Sequence, residues 1–412
     1  MESKHHELVG QSLFGFQAAL KQYGSSMQEY IEKYYLNHWM SDTLHACLEI
    51  RTSFVLALHE FFVNEGLLNI DRVQLCMITD PLAHDVEHVP TIEYKGQTYY
   101  TTHSMIYSKF LACHNPKIKG VFIDSPNIRL ELESPDRTQR GKYLIDFSQF
   151  DVELRRNRGI TMDDYLGRVD HVRKVLAEDM ERAMDLFERM MVHCLTKINE
   201  RNADALKELG VALPVPRRPF PVFKFDEAIK KYGKHDMEKG LGTETETTLF
   251  WVVGIPRENY DLIYPYMLTK GGKVDMSTLA SSSIYNYDMC ARSVDLASGV
   301  MSSPREILSG AIREWLYAPI VERMIDNRVI PARPRIMSGN IENIDDLGGY
   351  GPFLLVAERE DRKGKPMFPE TYGGGIGIER TLYTLCRGKA IERIEQVTLF
   401  GKNPDSHQIY LF

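Results

Sequence analysis

Cysteine is scarce and scattered in this chain. Six residues, at 47, 76, 113, 194, 290 and 386, are spread over 412 positions, and no two form a Cys-x-x-Cys pair. That argues against a disulfide framework or a structural zinc site and fits a reducing, cytoplasmic compartment. No stretch approaches 18 apolar residues, so no membrane span is expected. The opening Met1-Glu2-Ser3-Lys4-His5-His6 is not followed by the apolar run of a signal peptide. An excess of basic residues is also missing. Fifty Lys and Arg stand against 57 Asp and Glu, a net charge of -7. Such a balance argues against a general polyanion binder and leaves room for a local basic cleft. There is no internal repeat and no low-complexity tract.

What is present is ordinary globular composition: 43% hydrophobic, 26% charged, 29 Gly and 19 Pro. The length suits two or three domains, at about 100–200 residues each. Residues 1–45 carry a helical apolar pattern (Leu13, Phe14, Phe16, Leu20, Tyr23, Met27, Tyr30) and read as an N-terminal arm. The spacing predicts a second helix over Leu44–Asn64, closed by Gly66. Strands are predicted at Val73–Ile78, Thr98–Thr102, Val121–Ile123, Ile128–Leu132 and Ile145–Leu154. A long helix is predicted over Met162–Asn199, whose Met residues follow a core stripe. Four prolines between 214 and 221 mark a linker. Leu249–Val253 reads as a strand. Residues 265–350 read as Gly/Ser-rich turns around one helix near Glu306–Asn327. Phe353–Ala357 and Gln396–Phe400 read as strands, with a Gly-rich turn and a helix between them at 373–387. Runs of strands without βαβ alternation imply an α+β fold with a mainly antiparallel sheet.

Two segments carry chemistry. Gly373-Gly374-Gly375-Ile376-Gly377-Ile378-Glu379-Arg380 opens an apolar helical run. Glycines permit close approach of backbone to a ligand, a helix N-terminus favours an anion, and Arg380 can add a guanidinium to a phosphate. The competing reading is a tight turn into a core helix, with Arg380 in a surface salt bridge. The second segment runs from Ser125-Pro126-Asn127-Ile128-Arg129-Leu130-Glu131 through a polar loop to Asp146-Phe147-Ser148-Gln149-Phe150-Asp151-Val152-Glu153. Strand alternation puts Arg129 with Glu131 on one face. It puts Phe147, Gln149, Asp151 and Glu153 on one face of the next strand. Such a face is poor core. It is either a solvated outer face or a cleft for a nucleotide and Mg²⁺.

Arg129–Glu153 resembles motif 2, and Gly373–Arg380 motif 3, of the class II aminoacyl-tRNA synthetases, in their aspartyl/asparaginyl branch. Ile78-Thr79-Asp80-Pro81-Leu82, Thr102-His103-Ser104-Met105, Lys109, Ser125-Pro126-Asn127-Ile128-Arg129-Leu130-Glu131 and Phe147-Ser148-Gln149-Phe150-Asp151 resemble one subgroup in particular. That subgroup is the archaeal asparagine synthetases related to asparaginyl-tRNA synthetase. The resemblance covers roughly 45–260 and 368–404. It implies a class II catalytic core over 46–412, with an insertion at about 265–350. It also implies a homodimer, ATP and Mg²⁺ as cofactors, and AMP-forming activation of a carboxylate.

By position it gives Arg129 the α-phosphate, Glu131 the adenine amino group and Phe147 the adenine ring. Arg380 falls to the γ-phosphate. Gln149 and Asp151 fall near the α-phosphate and the substrate ammonium, and Lys142, Gly375 and Gly377 line the nucleotide site. Ser104, Lys109 and Arg305 fall in the amino-acid pocket, where Lys109 would meet a substrate carboxylate. A surface lysine on a helix is the competing reading of Lys109.

The chain also departs from the pattern. No proline marks motif 1 before Pro81, and residues 1–45 are too short for the oligonucleotide-binding barrel. The family's metal-binding Gly-Glu pair is missing before Ser298 and Ser302, which leaves the metal ligands unassigned. The expected reaction is adenylation of aspartate or a close analogue and acyl transfer to ammonia or an amine. The missing barrel and net charge argue against tRNA as a partner. The alternatives are an aminoacyl ligase acting on tRNA or a carrier, and a non-catalytic paralogue that senses an amino acid.

Overall fold

The computed structural model describes residues 21, 26–78, 90–130, 142–156, 158–234, 236–257, 260–265, 283–362, 364–388 and 391–403. Its centre is an eight-stranded sheet. The strands are β1 (Leu68–Asn69), β2 (Gly120–Ile128), β3 (Asp146–Arg155), β4 (Val222–Lys224), β5 (Leu249–Val253), β6 (Asn286–Ala291), β7 (Arg305–Ile312) and β8 (Thr371–Gly377). Their order across the sheet is β1-β2-β3-β8-β7-β6-β5-β4. The six inner strands are antiparallel, and the edge strands β1 and β4 pair parallel to their neighbours. This is the α+β architecture expected from the sequence.

Helices α1 (Asp42–Asn64) and α3 (Val169–Arg201) cover one face; the short helix α2 (Ile106–Ala112) lies on the other side. Ser41 caps α1, its Oγ accepting the Leu44 N–H at 3.1 Å, and Gly66 ends the segment at φ +79°. The α1 stripe Cys47, Ile50, Phe54, Leu58 and Phe62 is buried against that sheet face and α3. There Phe62, Phe122 and Phe150 stack with centroids 5.4–6.0 Å apart. Burial of each such ring stabilises the layer by about 1.5–3 kcal/mol. The predicted helix over Met162–Asn199 is two helices. Thr161 and Asp164 form a reciprocal cap on Met162–Gly167, and Arg168 leaves helical geometry before α3 begins.

Several local expectations are corrected. Residues 373–377 form a central strand, not a turn, because β8 is hydrogen-bonded on both sides. Arg305–Ile312 is strand, and the helix of that region is shorter, Tyr317–Asp326. Residues 265–350 thus carry β6 and β7, two inner strands of the sheet. Phe353–Ala357 lies in a helix, Tyr350–Ala357, where Phe353 packs edge-on against Tyr107 at 4.7 Å and Phe368 at 5.6 Å. A short apolar run does not distinguish strand from buried helix by periodicity. Gln396–Phe400 begins inside a single helical turn, Ile394–Val397. The strand predicted at Val73–Ile78 is reduced to Leu75–Cys76, and pairing after β2 stops at Ile128. Two helices, Phe225–Tyr232 and Met237–Glu244, had no counterpart in the sequence reading.

The part of the arm within the described residues is helical from Met27 to Trp39, with Tyr30 buried. It docks on the C-terminal segment: His38 Nε2 donates to the Thr398 carbonyl at 2.8 Å and Trp39 Nε1 to that of Leu399 at 3.0 Å. The expectations for Leu13 to Leu20, for Thr79-Asp80-Pro81-Leu82 and for Glu131 lie outside the described residues. No helix among the described residues is long and apolar enough to cross a membrane.

Candidate functional site

The face of the sheet opposite α1 and α3 forms the floor of a cleft of about 370 Å³. One transverse row of partners runs Ile123, Asp151, Gly375, Ser309 and Asp288 across β2, β3, β8, β7 and β6. Glycine in the middle of the row has a steric cause. A Cβ on Gly375 would sit 2.9 Å from Asp151 Oδ1, and one on Gly373 would sit 2.4 Å from Glu153 Oε2. Gly373, Gly375 and Gly377 alternate onto this face, while Ile376 points to the core. The glycine-rich run is therefore a smooth sheet floor under carboxylates, not a phosphate-cradling turn.

The nucleotide-like end gathers Arg129, Lys142, Tyr143, Phe147 and Arg380. The Arg129 guanidinium lies 5.0 Å from the centroid of the Phe147 ring. It donates through Nε and Nη2 to the His103 carbonyl at 3.1 and 2.9 Å. Burial, aided by the Arg129 charge, lowers His103 to about 4, so that ring is neutral at neutral pH. Arg380 sits 5.3 Å over Tyr143 and reaches Glu306 at 3.3 Å.

The other end is a chain of alternating charges. Lys109 Nζ lies 2.8 Å from Asp151 Oδ1 and 3.8 Å from Glu153 Oε2. Arg313 joins Glu153 and Asp261, each at 3.3 Å. Arg257 joins Asp261 at 3.1 Å and Asp288 at 2.8 Å, and it also contacts Ser309. Lys109, Glu153, Arg313 and Asp261 are almost fully buried, as is Asp151. Removing one member of such a set leaves an uncompensated charge and costs about 3–5 kcal/mol. Burial pushes the Arg313 guanidinium down, but Glu153 and Asp261 outweigh it and raise it overall. Asp288 is pushed up to about 7 by burial and by Glu306, against the pull of Arg257. Asp151 Oδ2 is buried and accepts no hydrogen bond from the described residues.

Of the residues singled out from sequence, Ser104, Lys109, Arg129, Lys142, Phe147, Gln149, Asp151, Gly375, Gly377 and Arg380 line this one cleft. Lys109 is a buried ion-pair partner, which corrects the surface-lysine reading. Arg305 is displaced from the expected amino-acid pocket. It lies over Tyr383 beside Lys142 and Arg380, and Arg313 stands near Lys109 instead.

Sequence reasoning missed Asp261, Asp288, Glu306, Ser309, Arg313 and Arg257. Glu306, Ser309 and Arg313 were masked by the helix expected there. A β-bulge does the rest: Met289 pairs with Leu308 and Cys290 with Glu306, so Ile307 is an extra residue. Ile307 and Leu308 both enter the core, and Glu306 returns to the cleft face with Ser309. The acid missing before the serines thus has a counterpart that follows them. Among the described residues no three His, Cys, Asp or Glu side chains converge as a metal cage. Asp288 and Glu306 together could hold a divalent cation whose other ligands are phosphate oxygens, since the Glu306 charge disfavours ionisation of Asp288 and a cation would relieve it.

The fold is the class II aminoacyl-tRNA synthetase catalytic core, and residues 174–335 match the family described as tRNA synthetases class II (D, K and N). The chain is similar to the aspartate–tRNA(Asp) ligase of Pyrococcus furiosus, 24% identical over 370 residues, covering 87% of this chain and 68% of that protein. It is similar to the aspartate–tRNA(Asp/Asn) ligase of Methanopyrus kandleri, 21% identical over 369 residues with the same coverage. Among solved structures, asparaginyl-tRNA synthetase from Pyrococcus horikoshii complexed with asparaginyl-adenylate superposes with a TM-score of 0.62. The identity is 16%, over 94% of this chain and 74% of that one. The expectation against tRNA is overturned by these relatives, which are tRNA ligases by name. Net charge failed as an argument because a polyanion responds to local field, not to the sum over a chain.

Proposed function

We propose that this protein is an ATP-dependent, AMP-forming aminoacyl ligase that activates aspartate or a close analogue and transfers it to tRNA. One observation carries the reading. The buried Lys109–Asp151 pair, with Asp151 Oδ2 unpartnered among the described residues, shares a cleft with Arg129, Phe147 and Arg380. Asp151 offers its open oxygen to an α-ammonium. Lys109 and Arg313 set positive charge where a side-chain carboxylate would lie. Phe147 and Arg129 flank an adenine and its α-phosphate. The substrate carboxylate oxygen attacks the α-phosphorus, and pyrophosphate leaves with the electron pair of the broken P–O bond. Arg129 and Arg380 stabilise the charge that builds on the phosphates. Asp288 and Glu306 would hold Mg²⁺, which supplies further phosphate neutralisation. A terminal ribose hydroxyl then attacks the activated carbonyl and displaces AMP.

The relatives' names support aspartate and tRNA over ammonia as acceptor. A homodimer, as the resemblance implies, belongs to the same proposal. The test is ATP–pyrophosphate exchange across the twenty amino acids, then charging of total tRNA before and after nuclease treatment. Aspartate-dependent exchange with nuclease-sensitive ester formation is expected. Free asparagine made from ammonia without tRNA would replace this reading, and ADP as product would end it.

A further inference from the structure

We propose that Arg305 builds an anion subsite at the phosphate end of the cleft, which receives the terminal phosphates of ATP and the pyrophosphate made from them. The inference deepens the adenylation reading and rests on it.

A side pocket of about 60 Å³ adjoins the main cleft, and Lys142, Tyr143, Glu306 and Arg380 line both. Arg305 and Tyr383 close its far wall. The Arg305 guanidinium lies 4.8 Å from the Tyr383 ring centroid, and its Nη2 donates to Tyr383 Oη at 3.4 Å. Tyr383 Oη is itself fixed by donating to the Glu392 carbonyl. These contacts hold the fork in place without neutralising it.

Arg305 Nε is buried and has no hydrogen-bond partner among the described residues. Arg387 stacks on the same tyrosine at 5.7 Å, and its Nη1 is likewise buried without a hydrogen-bond partner among the described residues. Among the described residues the acids that line this pocket are Glu238 and Glu306, beside the cations Lys142, Arg305 and Arg380. Burial and the neighbouring Arg387 and Arg380 charges work against the Arg305 cation, with Tyr383 and Glu238 opposing them in part. An anion would satisfy the idle donor and relieve that crowding. A planar guanidinium matches a phosphate in a bidentate manner, and continuity with Arg380 and Lys142 points to a phosphate chain extending from the main cleft.

The experiment is calorimetric titration of the full chain with pyrophosphate, ATP and AMP, for wild type, Arg305→Gln and Arg305→Lys. Arg305→Gln should weaken pyrophosphate and ATP by about tenfold or more, and AMP by less than about twofold. Arg305→Lys keeps the charge without the fork and should recover part of the loss; it also serves if the Gln variant folds poorly. In exchange assays the KM for pyrophosphate should rise while that for the amino acid stays put. Unchanged pyrophosphate affinity in Arg305→Gln, or equal losses for AMP and pyrophosphate, would overturn the subsite. Failure of the adenylation reading looks different: wild type would bind pyrophosphate and ATP yet show no carboxylate-dependent exchange.

Discussion

Replacing Lys109 with Leu perturbs two things at once. Nζ is 2.8 Å from Asp151 and 3.8 Å from Glu153, and all three side chains are almost fully out of solvent. Leu fills much of the volume but, among the described residues, leaves Asp151 with no cation and Glu153 with Arg313 alone. Breaking a buried pair this way costs about 3–5 kcal/mol, so the urea midpoint should fall sharply. The same cation faces the proposed carboxylate of the substrate. Its loss should lower kcat/KM for aspartate by about 2–5 kcal/mol, roughly thirtyfold to several thousandfold. ATP binding should change little, since Arg129, Phe147 and Arg380 are untouched.

The double variant Lys109→Leu/Asp151→Asn separates the effects. It removes the orphaned charge, so stability should return in large part, while aspartate-dependent exchange should not. The assays are urea unfolding and pyrophosphate exchange, run on wild type and both variants. If Lys109→Leu matches wild type in both, the buried pair contributes nothing and the charge argument for an acidic substrate falls. If the double variant regains activity along with stability, Lys109 is structural only.

Arg129→Ala and Arg380→Ala should each reduce carboxylate-dependent exchange about 100-fold, as for loss of an electrostatic clamp; a loss under threefold would remove that residue from the phosphate site. Gly375→Ala would place a Cβ 2.9 Å from Asp151 Oδ1, so activity should drop while far-UV circular dichroism is unchanged; full activity would show that the floor tolerates a methyl group. Asp288 titrates near 7 in the fold against 3.8 unperturbed, because burial favours its neutral form. Its contribution to stability is thus complete below about pH 4 and is lost as pH rises through about 7. Asp288→Asn should flatten the urea midpoint over that window; an unaltered pH profile would show that Asp288 is not the group responsible.

The cleft wall on β3 was legible because a strand has a strict period of two. Phe147, Gln149, Asp151 and Glu153 had to share a face, and polar residues at every other position cannot be core. The α1 and α3 stripes were legible for the same kind of reason, at the helical period. Residues 305–313 were not legible. The bulge at Ile307 breaks alternation, so Glu306 and Ser309 share a face only after β7 has paired with β6. Phe353–Ala357 was ambiguous because five apolar residues fit either period.

Local sequence determined which segments carry charge, where α1 starts and stops, and that alternate positions of β3 face one way. It does so because propensity, capping and side-chain period act within a few residues. The tertiary structure decided which charges meet. Lys109 and Asp151 are 42 positions apart, and Arg313 and Glu153 are 160 apart. Their pairing depends on strand order, which brings β3, β8 and β7 side by side. The same packing moved Arg305 to the phosphate end and put Arg313 near Lys109. Ionic contacts act over a few ångströms and carry no period along a chain, so only the folded sheet could assign those partners.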